Sequence, residues 1–148
     1  MITDASPESG FSSDLEAALL EDLRASSAQT HNGRVDLAVR DDDGALLAGL
    51  AATTSYGWLR VNMLWVCSGH RRTGLGRQLM QRAFEQSLQK GCHATWLETS
   101  NPQARDFYKS LEFEVFAALT NEANDVPQGH TRWFLRRKLG PSLFGETS

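Results

Sequence analysis

The chain of 148 residues is the size of one domain with room for a buried core, and its 41% hydrophobic and 22% charged residues are those of an ordinary globular protein. No apolar run approaches the ~20 residues that cross a bilayer, and Met1 to Gly10 lack the basic and apolar parts of a secretory leader, so no membrane partner is expected. Two cysteines, Cys67 and Cys92, make neither a disulfide framework nor a zinc site, which points to a reducing cytoplasm and no metal.

The net charge of −3 is unevenly divided. Residues 1–50 carry three Lys/Arg against ten Asp/Glu, and residues 51–148 carry twelve against eight. The basic excess of the second part suits an anionic ligand. With no lysine-rich run interleaved with aromatics, nucleic acid is not an expected partner.

Residues 1–10 read as a disordered arm, 11–139 as one domain and 140–148 as a polar tail. From Phe11 to Gln29 the residues Leu15, Ala18, Leu19 and Leu23 recur at helical spacing, with Ser12 or Ser13 as cap and Glu16 completing a capping box. Val35 to Arg40 alternates as a strand, the acidic Asp41-Asp42-Asp43-Gly44 is a hairpin turn, and Ala45 to Thr54 is the returning strand. Ser55-Tyr56-Gly57 turns the chain into a long apolar strand, Trp58 to Val66. Short turns between these three strands predict an antiparallel meander.

A basic, glycine-punctuated turn, Gly69-His70-Arg71-Arg72-Thr73-Gly74-Leu75-Gly76, leads directly into a helix from Leu75 to Lys90. The free N–H groups and positive end of that helix, with Arg71, Arg72 and Arg77 beside them, suit phosphate groups. A P-loop needs Gly-Lys-Ser/Thr where Gly74-Leu75-Gly76 stands. The dinucleotide fingerprint needs a third glycine where Leu79 stands, so neither pattern fits.

Gly91 stops the helix, and Ala94 to Thr99 is the next strand, expected parallel to the long one across a right-handed crossover. Asn101-Pro102 begins a short helix carrying Ala104, Phe107, Tyr108 and Leu111. Val115 to Thr120 and Thr131 to Leu139 are the last two strands, with Trp133 and Leu135 on one face of the second.

Arg71-Arg72-Thr73-Gly74-Leu75-Gly76 resembles the Arg-x-x-Gly-x-Gly pyrophosphate signature of the GNAT acyl-CoA N-acyltransferase superfamily. Asn101-Pro-Gln-Ala104-Arg-Asp-Phe107-Tyr108 is similar to that family's Asn-x-x-Ala-x-x-Phe/Leu-Tyr segment. The match departs at Glu112, which stands where the family has glycine and must take a conformation glycine enters freely. The element order matches from about Phe11 to Leu139, and Tyr-Gly-Trp, Leu-Trp-Val and Pro-x-Gly-His look like a branch of small bacterial members.

The resemblance implies an α+β GNAT fold: a mixed, mostly antiparallel sheet flanked by helices, with a parallel strand pair splayed to admit acetyl-CoA. It implies pantetheine pairing along Leu64 and Val66, and pyrophosphate on the amides of Arg72, Thr73, Gly74, Leu75, Gly76 and Arg77. Arg71 would shape the loop and Asn101 would contact the pantetheine arm. Acyl transfer then needs a proton donor for the leaving thiol, assigned to Tyr108, and an oxyanion donor near Trp65. It also needs a base for the amine, assigned to Glu98 as a strand-end carboxylate facing the cleft. Trp58, Asn62 and His130 are candidate acceptor contacts, with alternation placing Trp58 and Asn62 on one face and Trp65 on the other unless a bulge intervenes.

The expected activity is acetyl transfer from acetyl-CoA to an amine, small-molecule or peptide, by direct attack in a ternary complex. The alternatives are a non-catalytic CoA-binding regulatory module and an ATP-binding enzyme. The apolar run Val115-Phe116-Ala117-Ala118-Leu119 would allow a homodimer through the last strands.

Overall fold

The computed structural model describes residues 1–26, 28 and 32–140. The chain forms two compact units, Met1–Thr30 and His31–Ser148. In the first, helix α1 (Phe11–Ser26) has no buried residue. It begins ahead of the expected Ser12/Ser13 cap. Gly10 takes a left-handed φ of 75° and its carbonyl accepts from the Asp14 N–H at 3.1 Å, while the Ser9 hydroxyl accepts from the Phe11 N–H at 3.3 Å. The expected end near Gln29 lies outside the described residues, as does the tail beyond residue 140.

The second unit is built on six strands: β1 (Gly33–Arg40), β2 (Leu46–Ser55), β3 (Trp58–Val66), β4 (Ala94–Thr99), β5 (Glu114–Thr120) and β6 (Thr131–Lys138). Their order is β1-β2-β3-β4-β6-β5, antiparallel throughout except for β3 and β4. The β1–β2 turn is an aspartate turn. One Asp41 carboxylate oxygen accepts from the N–H groups of Asp43 and Ala45, both at 2.9 Å. The β2–β3 turn places Tyr56 and Gly57 at φ 52° and 80°, the pair of positive values that a tight two-residue hairpin demands. Gly57 is doubly constrained, because a Cβ there would come within 2.6 Å of the His93 ring.

Helix α2 (Leu75–Gln89) and helix α3 (Pro102–Ser110) cover one face of the sheet. Leu79, Met80, Ala83 and Phe84 of α2 pack on Val35, Leu50, Leu59, Leu97 and Leu135, and Tyr108, Leu111 and Phe113 continue this core from the α3 side. That face is the inner face, and its residues alternate along each strand with outward ones.

Alternation breaks once in β3. Ala51 pairs with Met63 and Ala52 with Val61, so Asn62 is an extra residue. Leu59 and Val61 point inward before this bulge and the half-buried Leu64 and Val66 after it, leaving Trp58, Asn62 and Trp65 all on the outer face. The bulge that the alternation allowed for does intervene, and this one inserted residue resets the phase of the strand and brings Trp65 to the face of Trp58 and Asn62.

Candidate active site

Strands β3 and β4 pair only from Trp58–Ala94 to Arg60–Trp96. Beyond Arg60 the β4-facing edge of β3 is unpaired, and the crossover through α2 leaves a gap there. Inside the gap the backbone direction is fixed by two bonds. The Cys67 N–H donates to the Leu47 carbonyl at 2.8 Å, on the β2 side, whereas the Val66 carbonyl accepts from Arg71 Nε at 3.1 Å, on the other. By alternation Leu64 shares the side of Val66, and the amide of Trp65 itself faces β2.

A cleft of about 490 Å³ occupies this opening. Its walls are Leu64, Trp65 and Val66 from β3, the turn from His70 to Arg77 except Thr73, and Asn101, Gln103, Ala104, Phe107 and Tyr108 from the α3 side. The turn starts with a single 3-10 turn, Ser68–His70, stabilised by the Thr73 hydroxyl donating to the His70 carbonyl at 2.6 Å. Arg72 sits at φ 62°, a conformation costing a non-glycine residue on the order of 1 kcal/mol. Gly74, at φ 83°, is the N-cap of α2 and takes that conformation freely. The first intrahelical bond of α2 runs from Gln78 N–H to the Gly74 carbonyl, so the amides of Leu75, Gly76 and Arg77 precede the hydrogen-bonded turns and are open to an anion. Three guanidinium groups and a bare helix N-terminus make a donor set that fits a diphosphate.

On the opposite wall Asn101 caps α3. Its Oδ1 accepts from the Gln103 and Ala104 N–H groups at 2.8 and 3.4 Å, which leaves its NH₂ as the group for a ligand. Tyr108 is 8% exposed, its ring 5.3 Å from that of Phe107 and 5.7 Å from that of Phe113. Burial pushes its phenol up to about 12. Among the described residues no buried side-chain polar atom lacks a partner, so the Tyr108 hydroxyl, which has no protein partner, keeps access to the cleft.

Glu98 does not line this cleft. Its neighbour Leu97 is buried opposite Leu135, so Glu98 alternates onto the outer face, where Arg132 Nε lies 4.0 Å from its carboxylate. The expectation that Glu98 faces the cleft is corrected to the far side of the same gap. Trp58, Asn62 and Trp65 share that outer face, Asn62 donating to the Thr53 hydroxyl at 3.4 Å, and His130 ends the loop before β6. The sequence reading gave Gln103 no site role and named Phe107 only as a helix and motif residue, not as a cleft wall. Their position one helical turn apart on a cleft-facing helix was the available signal. Among the described residues no cluster of three or more His, Cys, Asp or Glu is arranged for a metal ion, and no helix is long and apolar enough to cross a membrane.

A parallel strand pair prised open beside an arginine-rich helix N-terminus makes a cleft suited to an extended ligand with an anionic end. The acetyltransferase (GNAT) family matches residues 3–113, and the chain belongs to that family of enzymes, which move an acetyl group from acetyl-CoA to an amine. The chain is 31% identical to an acetyltransferase of Agrobacterium fabrum over 85 residues, 57% of this chain and 62% of that one, so the match spans less than two thirds of that relative. It is 34% identical over 97 residues to the blasticidin-S acetyltransferase of Streptomyces morookaense, covering 65% of this chain and 68% of the relative. A crystal structure of an acetyltransferase from Bacillus cereus superposes with a TM-score of 0.75 at 22% identity, over 94% of this chain and 97% of the other, a likeness of fold.

Proposed function

We propose that the chain passes the acetyl group of acetyl-CoA directly to a primary amine while both are bound, with Tyr108 as the proton donor to the leaving thiol. The observation that carries this reading is the convergence on one cleft of the open half of β3, the basic N-terminus of α2 and the hydroxyl of a buried tyrosine. The pyrophosphate rests on the amides from Arg72 to Arg77, with Arg71 bracing the loop through Val66. Pantetheine runs beside Leu64 and Val66, and the Asn101 NH₂ donates to it. As the amine attacks, the carbonyl oxygen gains charge and takes a hydrogen bond from the gap-facing amide of Leu64 or Val66. The C–S bond breaks and the sulfur takes the Tyr108 proton.

Glu98 is the proposed base. It stands on the stretch of β4 that has left β3, on the outer face, where an amine entering through the gap meets it before the thioester. The acceptor we propose is a small molecule with a free amine, as in the relative named for blasticidin-S, with Trp58, Asn62, Trp65 and His130 as candidate contacts. We also propose that two copies pair through β5, an edge strand exposed along its whole length with Val115, Phe116 and Leu119 uncovered.

The test is a screen for thiol release from acetyl-CoA against nucleoside and aminoglycoside antibiotics, polyamines, amino acids and peptide N-termini. Transfer to a small-molecule amine is the expected result. Tight CoA binding with no transfer across the panel would leave a CoA-binding module without turnover.

A further inference from the structure

We propose that Glu112 and Arg137 form a clasp that fixes the aim of the Tyr108 hydroxyl, making both of them positioning residues for the proton donor; this rests on the reading of Tyr108 as the acid.

Glu112 is the residue that departs from the family pattern. Glu112 sits at φ 70°, a left-handed conformation that favours glycine, so the side chain is kept there at a conformational cost. It reaches Arg137 of β6, with carboxylate to Nη2 at 3.4 Å. Arg137 points inward from the sheet. Its side chain is only 4% exposed and its guanidinium lies 4.8 Å from the centre of the Phe84 ring. A buried guanidinium requires partners, and this one donates to the Leu111 carbonyl at 2.6 Å and to the Lys138 carbonyl at 3.2 Å.

The same turn holds Tyr108. The N–H groups of Leu111 and Phe113 both donate to the Tyr108 carbonyl, at 2.9 and 3.1 Å, and the Glu112 N–H donates to the Lys109 carbonyl at 3.0 Å. Leu111 is thus bound through its carbonyl to β6 and through its amide to Tyr108. The residue after Glu112 is Phe113, whose ring flanks the Tyr108 ring, so the backbone angle at 112 also sets that contact. From the cleft side, Arg77 donates to the Ser110 hydroxyl at 3.2 Å, and that hydroxyl donates to the Phe107 carbonyl at 2.5 Å. The last turn of α3 is therefore gripped from β6 by Arg137 and from the anion-binding helix by Arg77.

A structural role alone predicts that glycine at 112 is harmless, because it relieves the backbone and leaves the Arg137–Leu111 bond in place. The clasp predicts a separation of stability from rate. Glu112→Gly should melt at or above the wild-type temperature, keep KM for acetyl-CoA within about twofold, and lose about tenfold in kcat with the amine the acceptor screen turns over fastest. On a Tyr108→Phe background the same substitution should change kcat by less than about twofold, since two steps on one path do not add. Arg137→Lys, which keeps the charge but not the planar fork, should lower kcat in the same way, with some loss of stability because the bond to Leu111 is weakened.

An independent readout needs no acceptor. The chain has two tyrosines, Tyr56 and Tyr108, so tyrosine labelled with 13C at Cζ gives two lines, and that of Tyr108 should shift or broaden in Glu112→Gly. The clasp is overturned by an unmoved line, by unchanged kcat, or by a full loss repeated on the Tyr108→Phe background. If Tyr108→Phe itself retains kcat, the acid reading falls and takes the clasp with it. If Tyr108→Phe slows turnover and Glu112→Gly does not, only the clasp falls.

Discussion

As the proposed proton donor, Tyr108 has to be buried enough to stay protonated and open enough to reach a sulfur in the cleft. With its phenol raised to about 12 by burial, it is protonated at neutral pH, and as the proposed donor it should add no descending limb to the rate profile well below that value. Replacing it by phenylalanine should lower kcat about a hundredfold while KM for acetyl-CoA stays near its starting value, which steady-state kinetics would show. The same raised value has a consequence for stability. An unfolded tyrosine ionises near 10, so between pH 10 and about 12 the unfolded state has released a proton that the folded state still holds. The stabilisation by the neutral buried phenol is complete below pH 10 and is lost as pH rises toward 12, about 2–3 kcal/mol in all. Urea denaturation of wild type and Tyr108→Phe at pH 9 and 11.5 should show the mutant losing less stability over that interval. At the outer mouth, Glu98→Gln should lower kcat/KM about tenfold with stability unchanged within about 0.5 kcal/mol, because an exposed pair at 4.0 Å contributes little to folding.

At the scale of elements, Gly74 and Gly76 of the turn serve different physical ends, and substitution separates them. Gly74 has no atom within 4 Å of a built Cβ but holds φ 83°, so Gly74→Ala should cost about 1 kcal/mol of stability through backbone strain alone. Gly76 is not strained. Its Cβ would stand 3.5 Å from Phe107 and 3.8 Å from Val66, both cleft walls, so Gly76→Ala should fold as well as wild type and weaken CoA about tenfold. Calorimetric titration with CoA beside a thermal melt resolves the two. Asn101 separates in the same way: aspartate keeps the cap of α3 but removes the NH₂ donor, so Asn101→Asp should spare stability and raise KM for acetyl-CoA.

These elements were legible to different degrees. β3 and β4 have the bounds read from the sequence, because apolar runs closed by glycine at one end and a helix cap at the other leave little choice. The Asn62 bulge was not legible, since an inserted residue in a strand carries no local signature. Nor was the facing of Glu98, which depends on strand pairing. Arg137 sits in the charged run Arg136-Arg137-Lys138, yet alternation from Trp133 and Leu135 places it on their face; its partners Leu111 and Glu112, brought there by the fold, were what the sequence did not show.

At the scale of the whole second unit, the site is a by-product of topology. Three antiparallel strands lie on one side, β4, β6 and β5 on the other, and the parallel seam between them is joined by a crossover helix. Three residue pairs hold the seam at one end, and the other end stays open where a bulge and the turn into α2 draw β3 away. Ending the sheet on β5 leaves an edge unpaired among the described residues, and such an edge is a template for another strand. All seven residues of β5 are exposed, with Leu119 58% and Phe116 44% accessible, yet neither proline nor lysine, the usual guards of a free edge, occurs within it. Edge-to-edge pairing of two β5 strands would satisfy the bare amides and cover these side chains together. Sedimentation equilibrium at micromolar concentration should return twice the mass of one chain. Leu119→Lys, which sets like charges near the seam without touching the cleft, should return one chain mass with acetyl-CoA binding retained. A wild-type chain sedimenting as a single copy at tens of micromolar would show that the edge stays open.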